Sequence, residues 1–359
     1  MAFDPVQEDC LRLILAAMER DGADPTSDAA FIERAGEAYR LDPSSLIRTD
    51  RDRSFHLVAK ATVLVDYRAP FAPSEAEAER QFTAAEDYLR EAVELDTGNW
   101  DAQRMLATIR SASDDSLVDY LLENLPAVAA QTLRLVEEAQ GPYAREFARD
   151  LGLRPHQRWL AALASRLLIA GRYRMALKYA EQALASNPLD PAGARHTGML
   201  ALGKLEVEPE ELKRYRSRHA AAYQDRASSR TGRLGGHRPD AWSLITEMSL
   251  AYRSYDYERA TSLLRALMRS FPHPAQALYF QAEFPDGVFS RVRVEAGSDD
   301  ELVLALSEAT PLLQEGMGTP DAASFAVWIA EHELVQASLT DQDRALMGQM
   351  GNGANGGAR

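Results

Sequence analysis

The clearest candidates for ligand chemistry lie in one basic segment of the chain, residues 213–238. It holds eight lysines and arginines against a single acid, Asp225, which gives +7 in a chain whose net charge is -14. A guanidinium group can bind a carboxylate through two parallel hydrogen bonds. Glycines and serines between Ser228 and Gly236 disfavour a helix there. We therefore predict a loop that binds an acidic partner through four arginines: Arg226, Arg230, Arg233 and Arg238.

The same segment also has a purely structural interpretation. A helix that begins at Pro209 would carry Glu210 and Glu211 in its first turn and arginines in its last, which matches the helix dipole. Glu210 and Arg214 lie one turn apart and would pair. An ordered helix and a binding loop both remain open for the segment 213–238.

Signals for catalysis are weak. The spacing of Arg214 and His219 resembles that of a class of helical, metal-independent ribonucleases, and RNA cleavage is therefore the least favoured alternative. Glu331-His332-Glu333 lacks the second histidine of a helical zinc site, and no glycine-rich phosphate loop is followed by a lysine. Cys10 lies on an apolar helical stripe, which favours a structural thiol. We expect no enzyme activity, no metal and no cofactor.

Composition narrows the class of protein. A net charge of -14 over 359 residues disfavours indiscriminate binding to nucleic acid, so nucleic acid is a possible but not a favoured partner. A single cysteine excludes a disulfide framework within the chain. The acidic amino terminus does not read as a signal peptide, and the apolar run that begins at Trp159 is interrupted by Arg166. We expect a cytoplasmic protein that does not bind membranes.

Four helical stretches end in a similar way, with small or apolar residues, a polar turn and then a helix-terminating residue. The closing residues are Pro43, Thr97, Pro188 and Pro272. Proline cannot continue a helix, so each phrase marks the end of a helical segment. Recurrence of this kind is typical of stacked helical repeats, which usually bind other molecules.

The clearest repeat runs from Arg158 to Pro188. Apolar residues recur at three- and four-residue spacing, Gly171 breaks the period, and alanines then form a stripe that lets two antiparallel helices approach closely. This unit resembles a tetratricopeptide repeat, a pattern of about 34 residues. The residues that carry the resemblance are Leu163, Ala164, Gly171, Tyr173, Ala176, Ala183 and Pro188. The resemblance implies an all-α solenoid of antiparallel helix pairs whose groove binds proteins or peptides.

The repeat is irregular along the chain. Weaker helix pairs are predicted at 55–67 with 82–92 and at 242–252 with 257–272, and the closing residues lie 54, 91 and 84 positions apart. We predict N-terminal helical repeats (1–112) with an insertion near 68–78, linking helices (113–153), tetratricopeptide-like repeats (154–275) interrupted by the basic segment, a C-terminal helical cap (276–346) and a disordered tail (347–359).

First helices line the concave groove of such a solenoid. In the register of the Arg158 repeat, seven residues are predicted to face inward and contact a protein or peptide: Arg158, Ser165, Arg195, His196, Ser249, Tyr252 and Arg253. An arginine-bearing groove suits acidic peptides. The favoured function is a scaffold or adaptor for an acidic partner. A peptide-sensing regulator of transcription or signalling is the alternative, although no DNA-binding element is recognised at the amino terminus.

Overall fold

The chain is helical throughout the part that the structure describes. The structure is a computed structural model that describes residues 4–24, 27–223, 240–281, 292, 294–314 and 324–345. These ranges contain helices and turns but no β-strand, so the all-α class is confirmed. The chain divides into two compact units, and the second begins at Arg195. This division falls inside the stretch 154–275 that the sequence analysis treats as one region.

Unit 1 is built from α-helices of 7 to 25 residues, several of which begin at a capping side chain. They are α1 (Pro5–Asp21), α2 (Ala29–Leu41), α3 (Asp50–Thr62), α4 (Glu75–Leu95), α5 (Trp100–Arg110), α6 (Asp114–Glu138), α7 (Gly141–Phe147), α8 (Arg154–Ile169) and α9 (Tyr173–Ser186). Side chains that accept hydrogen bonds from the first turn explain several starts. Asp4 caps α1, and Thr49 forms a reciprocal capping box with Asp52 on α3.

Unit 2 contains a helix that is buried along most of its length. Its helices are α10 (Ala194–Lys204), α11 (Pro209–Arg218), α12 (Ala241–Arg253), α13 (Tyr257–Ser270), α14 (Pro274–Tyr279), α15 (Asp299–Glu308), α16 (Thr310–Leu313), α17 (Ser324–Glu331) and α18 (Glu333–Gln336). Residues 241–246 and 248–251 of α12 are all buried. The helix begins at the Asp240 cap, and the buried carboxylate of Glu301 also accepts a hydrogen bond from the amide of Ala241.

Three helical hairpins match the pairs predicted from the sequence: α3 with α4, α8 with α9, and α12 with α13. Each second helix buries a stripe at positions i, i+4 and i+7. The stripes are Ala85, Leu89 and Ala92 in α4, Ala176, Ala180 and Ala183 in α9, and Ala260, Leu264 and Leu267 in α13. Small residues in these stripes let the paired helices pack closely.

Two segments differ from their sequence predictions. The insertion expected near 68–78 is shorter, because a π-helical turn extends α3 to Arg68 and the Ser74 cap starts α4 at Glu75. Within the predicted C-terminal cap (276–346), the helical stretch of α17 and α18 is divided at His332, whose ring accepts a hydrogen bond from the amide of Leu334 and so starts α18. The predicted tail, 347–359, lies outside the described residues.

The turn of the α8–α9 hairpin depends on a left-handed residue. Gly171 has a φ of +74°, and the amide of Arg172 donates to the carbonyl of Leu167 (2.8 Å) across the end of α8. This is the hydrogen-bond pattern of a Schellman motif, in which glycine avoids the steric cost that a side chain meets. The turn lets α9 fold back on α8.

Two Gly→Ala substitutions are expected to change stability in opposite directions. Gly171→Ala should lower the free energy of unfolding by about 1 kcal/mol, because alanine resists a positive φ. Gly36→Ala, inside α2 with no atom near the added methyl group, should raise it by about 0.5 kcal/mol. Urea denaturation of both variants provides the comparison. Equal changes in both would show that backbone conformation at Gly171 does not limit stability.

Candidate functional site

Two adjacent carboxylates of α1 lie in the interior of unit 1. Asp4 and Pro5 start the helix so that Glu8 and Asp9 follow one turn later, on the side that faces the other helices. Each carboxylate-bearing residue is only 1% exposed. A buried carboxylate is costly unless it is paired and hydrogen-bonded, so its partners reveal what it does.

Asp9 joins α1 to the next two helices. Its Oδ2 atom accepts a hydrogen bond from the hydroxyl of Tyr39 on α2 (2.9 Å) and lies 2.7 Å from Nδ1 of His56 on α3. Burial and the negative charge of Asp9 raise the pKa of Tyr39. The tyrosine therefore stays protonated and acts as a hydrogen-bond donor.

Glu8 joins α1 to α8. It accepts hydrogen bonds from Arg12 on its own helix (2.8 and 3.0 Å), from Arg154 (3.0 Å) and from Arg158 (3.0 and 3.2 Å). Burial alone would raise the pKa of Glu8, but the positive charges of Arg158, Arg12 and Arg154 outweigh it and lower the pKa to about 2. The group is ionised at neutral pH.

Arg158 extends this network to α5. Its Nε atom donates to Asp101 (2.8 Å), and its Nη2 atom contacts the second oxygen of the same carboxylate. Asp101 is 2% exposed and also pairs with Arg104 (3.3 Å). Burial opposes ionisation of Asp101, yet the charge of Arg158 overcomes it and holds the pKa of Asp101 well below its usual range. We call this set the ionic cluster: Glu8, Arg12, Asp101, Arg104, Arg154 and Arg158.

The ionic cluster corrects the placement expected for Arg158. Its side chain is 11% exposed and lies between two buried carboxylates, whereas the sequence analysis places it in an open groove. Carboxylates whose pKa values are lowered in this way are poor proton donors near neutral pH. The geometry holds α1, α5 and α8 together and offers no acid–base chemistry. Ser165, the other predicted groove residue of unit 1, is half-buried on α8.

Three predicted groove residues of unit 2 are engaged in its interior. The ring of His196 is buried and stacks on Trp242 (centroids 3.7 Å apart), and Trp242 donates to Glu308 (2.6 Å). Ser249 is completely buried in α12. Arg195 is half-buried, with its guanidinium over the ring of Tyr223 (5.6 Å). Burial of His196 and Ser249 corrects the expectation that these side chains line an open groove.

Tyr252 lies at the centre of a group of aromatic rings. Ring centroids of Tyr257, Phe325 and Trp328 lie 5.6, 5.2 and 5.4 Å from its own. The ring of Tyr255 extends the group beyond Tyr257, with centroids 6.3 Å apart. Phe325 is buried beneath the others, whereas Tyr255 is 79% and Tyr257 46% exposed. We call these five residues the aromatic face.

A groove of about 380 Å³, lined by both charged and apolar residues, runs beside the α12–α13 turn. Arg253, the remaining predicted groove residue, lies in it and pairs with Glu206 (2.9 Å). Arg259 also lines it, together with the acids Glu208, Glu247 and Asp256. Of the seven predicted residues, Tyr252 and Arg253 are therefore adjacent on α12 and next to a surface that a partner could reach.

Tyr255 has an unusual backbone conformation, with a φ of +62°. It occupies the place that Gly171 takes in the α8–α9 hairpin. The amide of Asp256 donates to Ala251 (2.9 Å), just as Arg172 donates to Leu167, and the preceding amides are bonded in the same way in both turns. A tyrosine at this position costs about 1 kcal/mol relative to a residue without a side chain. Such strain is concentrated at functional sites.

The basic segment is only partly within the described residues. Arg226, Arg230, Arg233 and Arg238 lie outside them. The predicted helix from Pro209 is confirmed as α11, with acids in its first turn and bases in its last. The ion pairs of α11 differ from the predicted pair between Glu210 and Arg214. Lys213 pairs with Glu210 (3.0 Å), Arg214 with Glu211 (3.2 Å) and Arg216 with Glu247 (2.8 Å). His219 packs edge-on against Tyr215.

Comparison of the chain with protein-family models, curated proteins and solved structures gives no match. Within the residues that the structure describes, no three histidine, cysteine or acidic side chains are grouped so as to hold a metal ion. None of the described helices combines the length and hydrophobicity needed to cross a bilayer.

Four residues of these sites are not predicted from the sequence: Glu8, Asp9, Asp101 and Tyr255. The acidic amino terminus resembles an ordinary solvated helix start, and charge alone does not show that a carboxylate is buried. The sequence does contain a signal for the position of Tyr255. Tyr255 lies two residues before Tyr257, just as Gly171 lies two residues before Tyr173. Alignment of the two hairpins on these tyrosines would have placed a non-glycine residue in the left-handed position.

Loss of the Glu8 charge should destabilise unit 1 strongly. Glu8→Gln leaves Arg12, Arg154 and Arg158 with one buried counter-charge fewer, so the free energy of unfolding should fall by about 3 kcal/mol. Glu77→Gln, which breaks a partly exposed pair with Arg80 in the first turn of α4, is the matched control and should lower stability far less. A small effect of Glu8→Gln in guanidinium denaturation would contradict the role of the cluster.

The cluster also predicts how stability depends on pH. The pKa of Glu8 falls from its usual 4.5 to about 2 on folding, so the folded state binds fewer protons between these values. Its stabilising effect is complete above about pH 4.5 and is lost as the pH falls toward 2, by up to about 3 kcal/mol. Denaturation at pH 6, 4.5 and 3 measures this loss. The same series on Glu8→Gln should be flatter, and an identical slope would assign the acid sensitivity to other groups.

Proposed function

We propose that the chain is a non-catalytic, cytoplasmic scaffold of helical repeats that binds a protein or peptide. The three hairpins support an irregular solenoid related to the tetratricopeptide repeat, because their second helices bury the same stripe and two of their turns share one hydrogen-bond pattern. The acidic character of the partner is supported by the basic segment 213–238.

The observation that carries the proposal is the exposed, left-handed Tyr255. The α8–α9 hairpin makes the same turn with Gly171, so the fold does not need a tyrosine there. The ring of Tyr255 is 79% exposed, so it also gains little from burial. A residue that adds strain and little packing is best explained by an intermolecular contact.

The surroundings of Tyr255 suit a protein segment. Tyrosine and tryptophan are enriched at protein interfaces because a rigid ring provides a large contact area and a polar tip. The aromatic face provides such rings, and the neighbouring groove, lined by four acids as well as by Arg253 and Arg259, adds donors and acceptors for the backbone of a bound segment. A segment that lays an apolar side chain on Tyr255 and Tyr257 would reach this groove with the next residues.

The alternative of RNA cleavage has less support. Arg214 is exposed and engaged by Glu211, whereas His219 packs on Tyr215. In the regulator alternative, the same surface binds the peptide. The two functions differ only in which further molecule the protein contacts once the peptide is bound.

Substitutions at Tyr255 should separate binding from stability. Tyr255→Gly removes the ring and the strain together, so the free energy of unfolding should rise by up to about 1 kcal/mol while partner binding is lost. Tyr255→Ala removes the ring but keeps the left-handed side chain, so it should lose binding without the gain in stability. Thermal unfolding and affinity capture from cells that express the chain measure the two effects.

The matched control is Leu189→Ala, which removes a comparably exposed apolar side chain in unit 1. Proteins captured by the unmodified chain and by this control, but not by either Tyr255 variant, would support the proposal. Capture of the same proteins by all four chains would remove the aromatic face from it.

A further inference from the structure

A second surface, in unit 1, has a separate chemistry. A half-open pocket of about 290 Å³ lies where the end of α1, the beginning of α2 and the segment before α3 meet. Three arginines line it, Arg20, Arg34 and Arg48, and Asp21 is the one acid in its lining. A concentration of positive charge is unexpected in a chain whose net charge is -14.

Arg20 is fixed in place by the protein. Its Nη1 atom donates to Asp52 (2.9 Å) and its Nη2 atom to the carbonyl of Leu46 (3.1 Å). Asp52 also accepts hydrogen bonds from the backbone amides of Arg48 (3.1 Å) and Thr49 (3.1 Å). These hydrogen bonds order the loop that carries Arg48, and this loop forms one side of the pocket.

Arg34 and Arg48 also line the pocket, and both are exposed. Arg34 lies over the ring of Phe31 (6.0 Å), and one nitrogen of Arg48 donates to the carbonyl of Ile47 (3.0 Å). No carboxylate of the described residues forms an ion pair with either guanidinium. Their charges are therefore not neutralised by an ion pair within the described residues.

The size and lining of the pocket indicate the ligand class. At about 290 Å³ the pocket lies at the lower end of the range for small-molecule sites, and its half-open shape leaves room for the side chains of a bound peptide. Guanidinium groups pair with carboxylates in bidentate fashion. Phe31 and Leu46 add apolar wall for a neighbouring side chain, and the half-open shape lets a peptide cross.

We propose that this pocket binds a carboxylate side chain of an acidic peptide segment, with an adjacent apolar residue against Phe31. The site goes beyond the proposed function, since it lies in unit 1 and uses charge where the aromatic face uses rings. The two can fail separately: Tyr255 variants leave this pocket intact, and variants of Arg34 and Arg48 leave the aromatic face intact.

The probe is a fluorescent, capped peptide of six glutamates around one phenylalanine, with a glutamine version as its neutral counterpart. The double variant R34A/R48A should weaken binding of the glutamate peptide at least tenfold by fluorescence anisotropy. The matched control R80A/R90A removes the same charge from exposed positions elsewhere in unit 1 and should weaken it far less. Thermal unfolding confirms that both variants are folded.

Three outcomes would overturn the proposal. They are equal weakening by both double variants, equal binding of the glutamine peptide, and displacement of the peptide by inorganic phosphate at a lower concentration than by free glutamate peptide. R34K/R48K tests the geometry, because lysine keeps the charge but loses the planar fork. Partial loss of binding in this variant supports bidentate pairing, and full retention contradicts it.

Discussion

The architecture of unit 1 depends on two neighbouring carboxylates that are removed from water. Glu8 and Asp9 lie side by side on α1, yet they serve different helices: Asp9 holds α2 and α3, and Glu8 holds α8. Arg158 then carries the connection to Asp101 on α5. Ion pairs of this kind contribute little net stability compared with apolar packing, but removal of one partner is severe. They therefore select this arrangement of helices over others that would leave a charge buried alone.

The two units use side chains in contrasting ways around the same hairpin motif. In unit 1 the α8–α9 turn uses glycine, and Arg158 near the start of its first helix is engaged by buried acids. In unit 2 the equivalent turn has Tyr255, and the end of α12 presents Tyr252 and Arg253 beside rings and a groove. Helical hairpins tolerate such variation because their packing depends on the buried stripe and not on the turn surface.

The sequence was sufficient for local structure and insufficient for the sites. Alanine stripes and terminal prolines act within one hairpin, so three hairpins and α11 could be located from residue spacing alone. Arg158 could not be placed, because its partners Asp101 and Glu8 lie 57 and 150 residues away in the chain. Ser249 and His196 lie on helices that are apolar on several sides, so the register of one face did not show that the opposite face is also buried. In both cases, contacts with residues far away in the chain determine where the side chain lies.

The Glu8–Arg158 contact has a consequence for the order in which unit 1 is assembled. In a simple repeat array each hairpin contacts its neighbours, and structure can propagate from one end as the chain is made. Here Glu8 can pair with Arg12 on its own helix at once, but its other two partners, Arg154 and Arg158, lie about 150 residues further along the chain. Helix α1 therefore reaches its final environment late, and unit 1 is completed as a whole, in contrast to a solenoid that grows one repeat at a time.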